Sequence, residues 1–287
     1  RKPSRSSVTL YGGTDRSRFA SFDGQQGEKW RINTTTETRY KRLAAKISVN
    51  YETDGETNFD QSYIAYQLGD FNLRLGSIDQ WWGPAHSNSL VFSNSARPIR
   101  TLAFSRWTAT ASESPWLSFL GPWYFTAQVG QLEDSRSVPD AKIWATRFTS
   151  QPLSGLELGL SWVATWGGDG QPDRFSDFFK VITFRERCMD GSNDCLPESE
   201  TRIGSHLGGL DVKYTTSIFG QPLSFYTQII DEGESPEFNA SNNASTFGLS
   251  TYIANAKVYL EYSDTNVACS ESRTDITSCF YESGTYS

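Results

Sequence analysis

The sequence consists largely of segments of about ten residues in which apolar and polar side chains alternate strictly. In residues 156–166, apolar residues occupy the even positions, and Glu157, Gly159 and Ser161 lie between them. The same pattern recurs in segments 43–51, 71–76, 123–130, 223–229 and 258–262. Because successive side chains of a β-strand point to opposite faces, each segment predicts a strand with one apolar face and one polar or small face.

The lengths of the segments and of the links between them favour a membrane barrel over a soluble sandwich. A tilted strand needs about 9–11 residues to cross a bilayer, whereas strands of soluble proteins average about 5–6. The links alternate between short ones, at 40–42, 69–70, 151–154, 217–221 and 254–256, and long ones, at 14–29, 52–59, 80–99, 133–140, 167–203, 232–244 and 267–279. Outer-membrane barrels have this alternation of short periplasmic turns and long extracellular loops.

We therefore predict an all-β fold: one antiparallel transmembrane β-barrel of the bacterial outer membrane, with about 14 strands and long loops facing the cell exterior. One link, 109–122, is irregular because it is long on the predicted periplasmic side and carries an apolar run at 116–120. We expect residues 1–287 to form a single domain. The polar tail 282–287 differs from the aromatic-rich strand that normally closes a barrel, so we expect the chain to be part of a longer barrel.

Composition and charge narrow the possible partners. The chain has 26 Lys and Arg residues against 33 Asp and Glu residues, and the net charge of −7 argues against a nucleic-acid partner. Residues 190–194 resemble an oxygen-rich calcium loop but lack the bidentate acid at its far end. Without a P-loop, GxSxG or HExxH motif, we expect no cofactor and no metal site.

The four cysteines form two close pairs in polar, loop-like stretches. Four cysteines allow three pairings, and pairing by proximity predicts the disulfides Cys188–Cys195 and Cys269–Cys279. Both pairs fall in long links, and extracellular loops face an oxidising compartment. Four free thiols remain the alternative, and a zinc site is disfavoured because no CxxC motif occurs.

The segment 80–106 contains the side chains best suited to recognising a sugar. Indole rings stack on apolar sugar faces, and guanidinium groups grip carboxylates in pairs of hydrogen bonds. The candidate binding residues are Trp81, Trp82, Arg97, Arg100 and Arg106, together with Arg74, which the alternation places on the lumen face. A second interpretation is structural: the long connection folds into the barrel and plugs it, and the two roles are compatible.

The same segment resembles the capsule assembly protein Wzi family. The resemblance depends on Trp-Trp-Gly-Pro at 81–84, followed by Ser-Asn-Ser-Ala-Arg-Pro at 93–98, and it covers roughly residues 5–287. Segments 68–76 and 116–123 are also similar to the family. The resemblance implies an outer-membrane barrel of about 18 strands that acts as a lectin and holds capsular polysaccharide on the cell surface. The family also has an N-terminal helical segment and further C-terminal strands, and we expect this sequence to depart from the family in lacking both.

The leading functional prediction is non-enzymatic binding of capsular or exopolysaccharide, which helps to attach or assemble the capsule. Outer-membrane lipid and lipopolysaccharide are the other expected partners, and no protein partner can be named from the sequence. The first alternative is a channel lined by the polar strand faces. The second is a barrel hydrolase that uses His86, although Ser87 follows it directly, and neighbouring strand residues point to opposite faces.

Overall fold

The computed structural model describes residues 4–14, 29–136, 138–171, 173–183, 204–231 and 243–265. All four cysteines and residues 190–194 lie outside these ranges. The strands are β1 (Arg5–Gly12), β2 (Trp30–Tyr40), β3 (Leu43–Glu52), β4 (Thr57–Asn58), β5 (Tyr63–Leu68), β6 (Phe71–Ser77), β7 (Arg100–Arg106), β8 (Trp123–Gln131), β9 (Lys142–Leu153), β10 (Leu156–Trp166), β11 (Gly204–Ile218), β12 (Gln221–Asp231), β13 (Ala244–Ile253) and β14 (Ala256–Asp264). A 3-10 helix, Pro115–Leu120, and one α-helix, α1 (Phe175–Ile182), complete the described elements.

The strands form one 14-stranded antiparallel sheet, as the sequence predicts. Each strand pairs with its neighbour in the chain, except that the short β4 lies beside β3, so that β5 also pairs with β3. Turns of two residues join the strands at 41–42, 69–70, 154–155, 219–220 and 254–255. These turns lie at one end of the sheet, which we call the periplasmic end by the rule for outer-membrane barrels.

The two faces of the sheet follow the predicted alternation. Leu160 of β10 is 56% exposed, whereas the adjacent Ser161 is 6% exposed. Leu160 pairs with Phe148 of β9 and Leu210 of β11 in the strand register. Because directly opposite residues of paired strands share a face, these three side chains form one apolar rung on the outward face. The rung is the part of the wall suited to contact lipid.

The sheet curls around the connection between β6 and β7, residues 78–99, which we call the lumen segment. Its side chains and backbone form hydrogen bonds with Gln128 of β8, Gln228 of β12 and Ser263 of β14. Near its end, Arg97 binds Asp60, which lies between β4 and β5. One segment can contact strands that stand so far apart in the sheet order only if the sheet curves around it. The enclosed side is the lumen.

The helix α1 lies in the long link 167–203 and packs on the outward face of the wall, an arrangement that the sequence reading did not include. Its Val181 is fully buried beside Ala164 and Trp166 of β10. Its Phe178 contacts Trp144 of β9, with 5.7 Å between the ring centroids. The helix thereby covers Trp166, which is 4% exposed although it lies on the outward face. In the described ranges, no helix is long and apolar enough to span a membrane.

The irregular link 107–122 projects apolar side chains from the periplasmic end. Its 3-10 helix exposes Trp116 and Phe119. An isolated bridge between Thr110 and Trp123 fixes the link to the start of β8. Exposed aromatic rings beside the apolar wall are typical of the interfacial girdles of membrane barrels.

Candidate functional site

The middle of the lumen segment is clamped to the wall by Gln228. The side-chain amide of Gln228 donates to the carbonyl oxygen of Trp82 at 2.6 Å, and its oxygen accepts from the backbone N–H of Leu90 at 3.0 Å. Trp82 is 5% exposed and packs edge-on against Phe92, with 4.8 Å between the ring centroids. The lumen segment therefore folds back on itself around Trp82. The side chain of Gln228 on β12 binds this fold from the barrel wall.

A second clamp is the carboxylate of Glu261 on β14. It accepts hydrogen bonds from the backbone N–H groups of His86 at 2.7 Å and Ser87 at 2.8 Å, and from the Ser87 hydroxyl. It also accepts a hydrogen bond from the hydroxyl of Tyr226 on β12 at 2.6 Å. Hydrogen bonds to an ionised acceptor are stronger than hydrogen bonds between neutral groups. Glu261 is therefore a strong anchor of the lumen segment.

The ring of Tyr226 reaches Glu261 across Gly248 of β13, which lies directly opposite in the strand register. A Cβ atom on Gly248 would lie 2.0 Å from the Tyr226 ring. The absence of a side chain at 248 thus makes room for the aromatic ring that orients the anchor.

The surroundings of His86 are those of a packed residue. Its ring lies against Tyr226 and Tyr259, with centroids 5.7 Å and 5.1 Å away, and its Nδ1 is 3.3 Å from the amine of Lys257. The hydroxyl of Ser87 donates to Glu261. A serine nucleophile needs its proton directed at a base such as histidine, and the Ser87 hydroxyl donates instead to the carboxylate that anchors the segment.

The lumen segment separates two cavities. The first, which we call the extracellular cavity, has a volume of about 230 Å³ and lies between the end of the segment and strands β1 to β3. Its lining is almost entirely polar and includes the side chains of Tyr11, Arg31, Asn33, Lys46, Asn50, Asn58, Asp60, Gln61, Asp79, Asn94 and Arg97.

Most charges of the extracellular cavity are paired. Arg97 holds Asp60 with two hydrogen bonds of 2.9 Å and 3.2 Å, and Arg31 pairs with Glu52 at 2.9 Å. Lys46 differs because it forms no hydrogen bond or ion pair with any residue that the structure describes. Its positive charge acts on the carboxylates of Glu37 and Asp79 without a direct hydrogen bond to either.

Asp79, at the start of the lumen segment, adds a titratable group to this cavity. Burial raises the pKa of Asp79 above its ordinary value, and the neighbouring Asp60 carboxylate raises it further, against the opposite effect of a hydrogen bond with Gln61. Asp79 therefore becomes neutral at a higher pH than an exposed aspartate does.

The second cavity, which we call the periplasmic cavity, lies on the other side of the lumen segment and has a volume of about 300 Å³. Trp81, His86 and Lys257 line it, together with Lys213 of β11. On the neighbouring strands that line this cavity, Arg147 of β9 binds Asp211 of β11 through two hydrogen bonds of 2.7 Å and 2.9 Å. Arg147 also donates to Ser161 of β10 at 2.7 Å. Its main basic–acidic pair is thus already satisfied.

The structure separates the six candidate residues of the sequence analysis. Trp81 lines the periplasmic cavity, Trp82 is buried within the lumen segment, and Arg97 lines the extracellular cavity. Arg74 lies on the lumen face of β6, as the alternation predicts. These four therefore surround the lumen at different depths.

The other two candidates lie on the outward face. Arg100 begins β7 at the extracellular end and shares its face with Leu102, which is exposed. Arg106 ends the same strand at the periplasmic end, where its guanidinium lies 3.9 Å from the ring centroid of Trp123. It also donates to the carbonyl oxygens of Thr110 and Trp123 at 2.8 Å and 2.9 Å. Arg106 thus braces the irregular link.

Sequence reasoning did not single out Gln228, Glu261 or Lys46. The alternation places all three on the polar face of a strand, but that face is polar throughout, so nothing in the pattern distinguishes an anchor from a solvated side chain. The predicted bridges Cys188–Cys195 and Cys269–Cys279 and the acidic loop at 190–194 lie outside the described residues, so they stay predictions.

Comparison with known proteins gives the fold and the motif a family. The family model for the capsule assembly protein Wzi matches residues 1–287. An uncharacterised 55.8 kDa protein in the cps region of Klebsiella pneumoniae is 34% identical over 186 residues, which make up 64% of this chain and 35% of that protein.

Among solved structures, Wzi of Escherichia coli is similar with a TM-score of 0.74 and 28% identity, over 91% of this chain and 56% of that one. That protein is an outer-membrane protein involved in group 1 capsule assembly and a carbohydrate-binding β-barrel. The chain spans about half the length of that barrel. It is a transmembrane β-barrel of the bacterial outer membrane, and it belongs to the capsule assembly protein Wzi family.

Proposed function

We propose that this protein binds an acidic surface polysaccharide, capsular or exopolysaccharide, and helps to attach or assemble the capsule without catalysing a reaction. The observation that carries the proposal is the extracellular cavity, in which the Lys46 ammonium group forms no direct hydrogen bond or ion pair with a described residue. Support also comes from the relatives, since Wzi of Escherichia coli is a carbohydrate-binding barrel. We further propose that residues 1–287 act as one barrel domain.

The lining of the extracellular cavity matches the chemistry of an acidic sugar. Asn33, Asn50 and Asn58 form a chain of hydrogen-bonded amides along the wall, and their amide oxygens keep acceptor capacity for ring hydroxyls. Lys46 supplies a positive charge for a uronate carboxylate, while Arg97 is already held by Asp60. Tyr11 offers an aromatic face for the apolar side of the ring. An amide-rich wall whose charges are mostly paired, with one cation outside those pairs, therefore favours a glycan with widely spaced carboxylates.

The candidate residues take different roles in this proposal. Arg97 and Arg74 face the lumen and Arg97 borders the cavity, so we infer that Arg97 contacts the glycan or keeps Asp60 in place for it. Trp81 and Trp82 hold the lumen segment, which keeps the barrel closed below the cavity. The outward apolar wall contacts outer-membrane lipid and lipopolysaccharide.

The test compares two lysines that face the lumen on opposite sides of the lumen segment. Lys46→Gln removes the cation of the extracellular cavity, and Lys213→Gln makes the same change in the periplasmic cavity. We expect Lys46→Gln to weaken binding of purified acidic capsular polysaccharide about tenfold, the loss of one charge-assisted contact, and Lys213→Gln to leave it unchanged. Equal affinities for wild type and Lys46→Gln would overturn the proposed site.

Protonation of Asp79 gives a second test of the same cavity. Because its pKa is raised, Asp79 loses its negative charge as the pH falls toward that pKa, and repulsion of an anionic glycan falls with it. We expect binding to strengthen on mild acidification until the glycan carboxylates themselves are protonated. Asp79→Asn should bind more tightly at pH 7 and lose this pH dependence in a titration. An unchanged pH profile in Asp79→Asn would contradict the role of Asp79.

The channel and hydrolase alternatives predict different outcomes. Arg97→Ala should reduce surface capsule with unchanged antibiotic uptake if Arg97 contacts glycan, and increase uptake with full capsule if the lumen segment only closes a pore. Turnover of a capsular glycan or lipid that is lost in His86→Ala would favour the hydrolase. Capsule quantification and antibiotic uptake on the same strains distinguish the glycan and channel roles, and the turnover assay tests the hydrolase.

A further inference from the structure

The extracellular rim of the barrel carries a groove of about 820 Å³, which opens on the outer surface and which Asp60 and Arg97 border from the lumen side. Its apolar floor is formed by Leu75 of β6, Leu102 of β7 and Val129 of β8, which lie opposite one another in the strand register. These residues belong to the outward face of the wall, so the floor continues the surface that contacts membrane lipid. We call this feature the rim groove.

Charged side chains of both signs border the rim groove toward the cell exterior, and the carboxylates of Asp134 and Asp140 lie among them. Arg136 pairs with Glu133 at 3.7 Å, and Lys142 pairs with Asp173. Arg100 forms no hydrogen bond or ion pair within the described ranges. A guanidinium that no described carboxylate binds directly, placed above an apolar floor, is arranged for a ligand that carries an anion and hydrocarbon together.

The helix α1 extends this surface sideways. Val129 belongs both to the floor of the rim groove and to the patch that α1 covers. Val181 on the inner side of the helix is buried, whereas Phe175 and Phe179 on its outer side are exposed. Because the helix lies over the last rungs of β10, these two rings stand at the level of the outer leaflet. Aromatic residues on such a helix insert at the boundary between headgroups and acyl chains.

We propose that the rim groove and α1 together bind a phosphorylated, acylated glycolipid of the outer leaflet. Its phosphate binds Arg100, and its acyl chains lie along Leu75, Leu102 and the exposed rings of α1. The charge of Arg100 and the continuity of the floor with the lipid-facing wall both support this occupant. The inference rests on the lipopolysaccharide contact proposed above and names a site for it, and it does not depend on glycan binding in the lumen, so the two bindings can fail separately.

The experiment measures binding of purified diphosphoryl lipid A to the full chain in detergent, by native mass spectrometry. We expect Arg100→Ala to reduce the affinity about tenfold, because one charge-assisted contact is lost. Removing the phosphates from the lipid should have a similar effect on the wild type and none on Arg100→Ala. Phe179→Ala should weaken binding of both lipid forms. The control is Arg42→Ala, which removes an arginine from a periplasmic turn and should bind like the wild type.

Three results would overturn the proposal. The first is equal lipid affinity for wild type and Arg100→Ala. The second is an equal loss in Arg42→Ala, which would show that net charge alone matters. The third is a loss of polysaccharide binding in Arg100→Ala with lipid binding intact, which would assign the rim to the glycan. Inorganic phosphate should fail to compete at millimolar concentration, and full competition by it would contradict the role of the apolar floor.

Discussion

Gly83 shows how one residue of the motif serves the fold. A Cβ atom at this position would lie 2.5 Å from the side-chain oxygen of Gln228. Gln228 is almost completely buried and uses both ends of its amide to hold the lumen segment. The glycine of Trp-Trp-Gly-Pro therefore allows a close approach between the segment and the wall.

The first prediction follows from this contact. In Gly83→Ala the methyl group displaces the Gln228 amide, and the loss of its buried hydrogen bonds costs about 1–3 kcal/mol of segment docking. We expect faster proteolytic cleavage within 83–90 in detergent, with barrel assembly unchanged. The control is Gly208→Ala on β11, where a Cβ atom would meet no atom within 4 Å. Equal cleavage rates in the two variants would contradict the clamp.

At the residue scale, the sequence indicates which side chains are chemically special but not where they point. Trp82 and Arg106 have the stacking and hydrogen-bonding groups that sugar recognition needs. In the structure, Trp82 packs against Phe92 and Arg106 binds carbonyl oxygens of the protein. Arg100 and Arg97 are three residues apart in the sequence, yet one faces outward and the other borders the lumen. Those directions depend on the residue at which β7 begins. The alternation does not reveal that residue because 78–99 follow an irregular path.

At the element scale, strand faces were predictable because the two faces of each strand meet different surroundings, apolar lipid on one side and the polar lumen on the other. In β10, Leu160 faces outward with its rung of apolar neighbours, and Ser161 faces the lumen, where Arg147 donates to its hydroxyl. The helix α1 was not predictable from alternation, since its eight residues, Phe-Ser-Asp-Phe-Phe-Lys-Val-Ile, lie in a long link read as a loop. Its inward side chains match the wall only after β9 and β10 have formed.

The second prediction tests the faces of β10. Leu160→Arg places a charge in the apolar wall and should cost ~2–4 kcal/mol near the membrane midplane. Ser161→Arg places the same residue in the polar lumen and should be tolerated better, although it crowds Arg147. We expect a heat-modifiability assay to show poor assembly of the first variant and good assembly of the second. Similar assembly of both would contradict the assignment of faces.

At the scale of the whole molecule, the sheet and the lumen segment stabilise each other. The segment fills the lumen between two cavities, and its anchors come from strands as distant as β8 and β14. The sequence predicted the barrel from local periodicity, and it predicted a long connection at 80–99. The path of that connection depends on contacts between residues as far apart as 86 and 261, and no local pattern encodes such contacts.

The last prediction concerns the anchor on β14. In Glu261→Gln an N–H₂ group replaces one of the two accepting oxygens and faces either the His86 donor or the Ser87 donors, and the remaining oxygen is uncharged, so the segment loses hydrogen bonds to a charged acceptor. A loss of about 2 kcal/mol raises the ratio of displaced to docked segment about thirtyfold. We therefore expect larger single-channel conductance in planar bilayers with unchanged barrel abundance. Glu157→Gln, which changes a lumen carboxylate of the periplasmic cavity, should conduct like the wild type. If the conductance of Glu261→Gln equals that of the wild type, Gln228 and Arg97 hold the segment without help from β14.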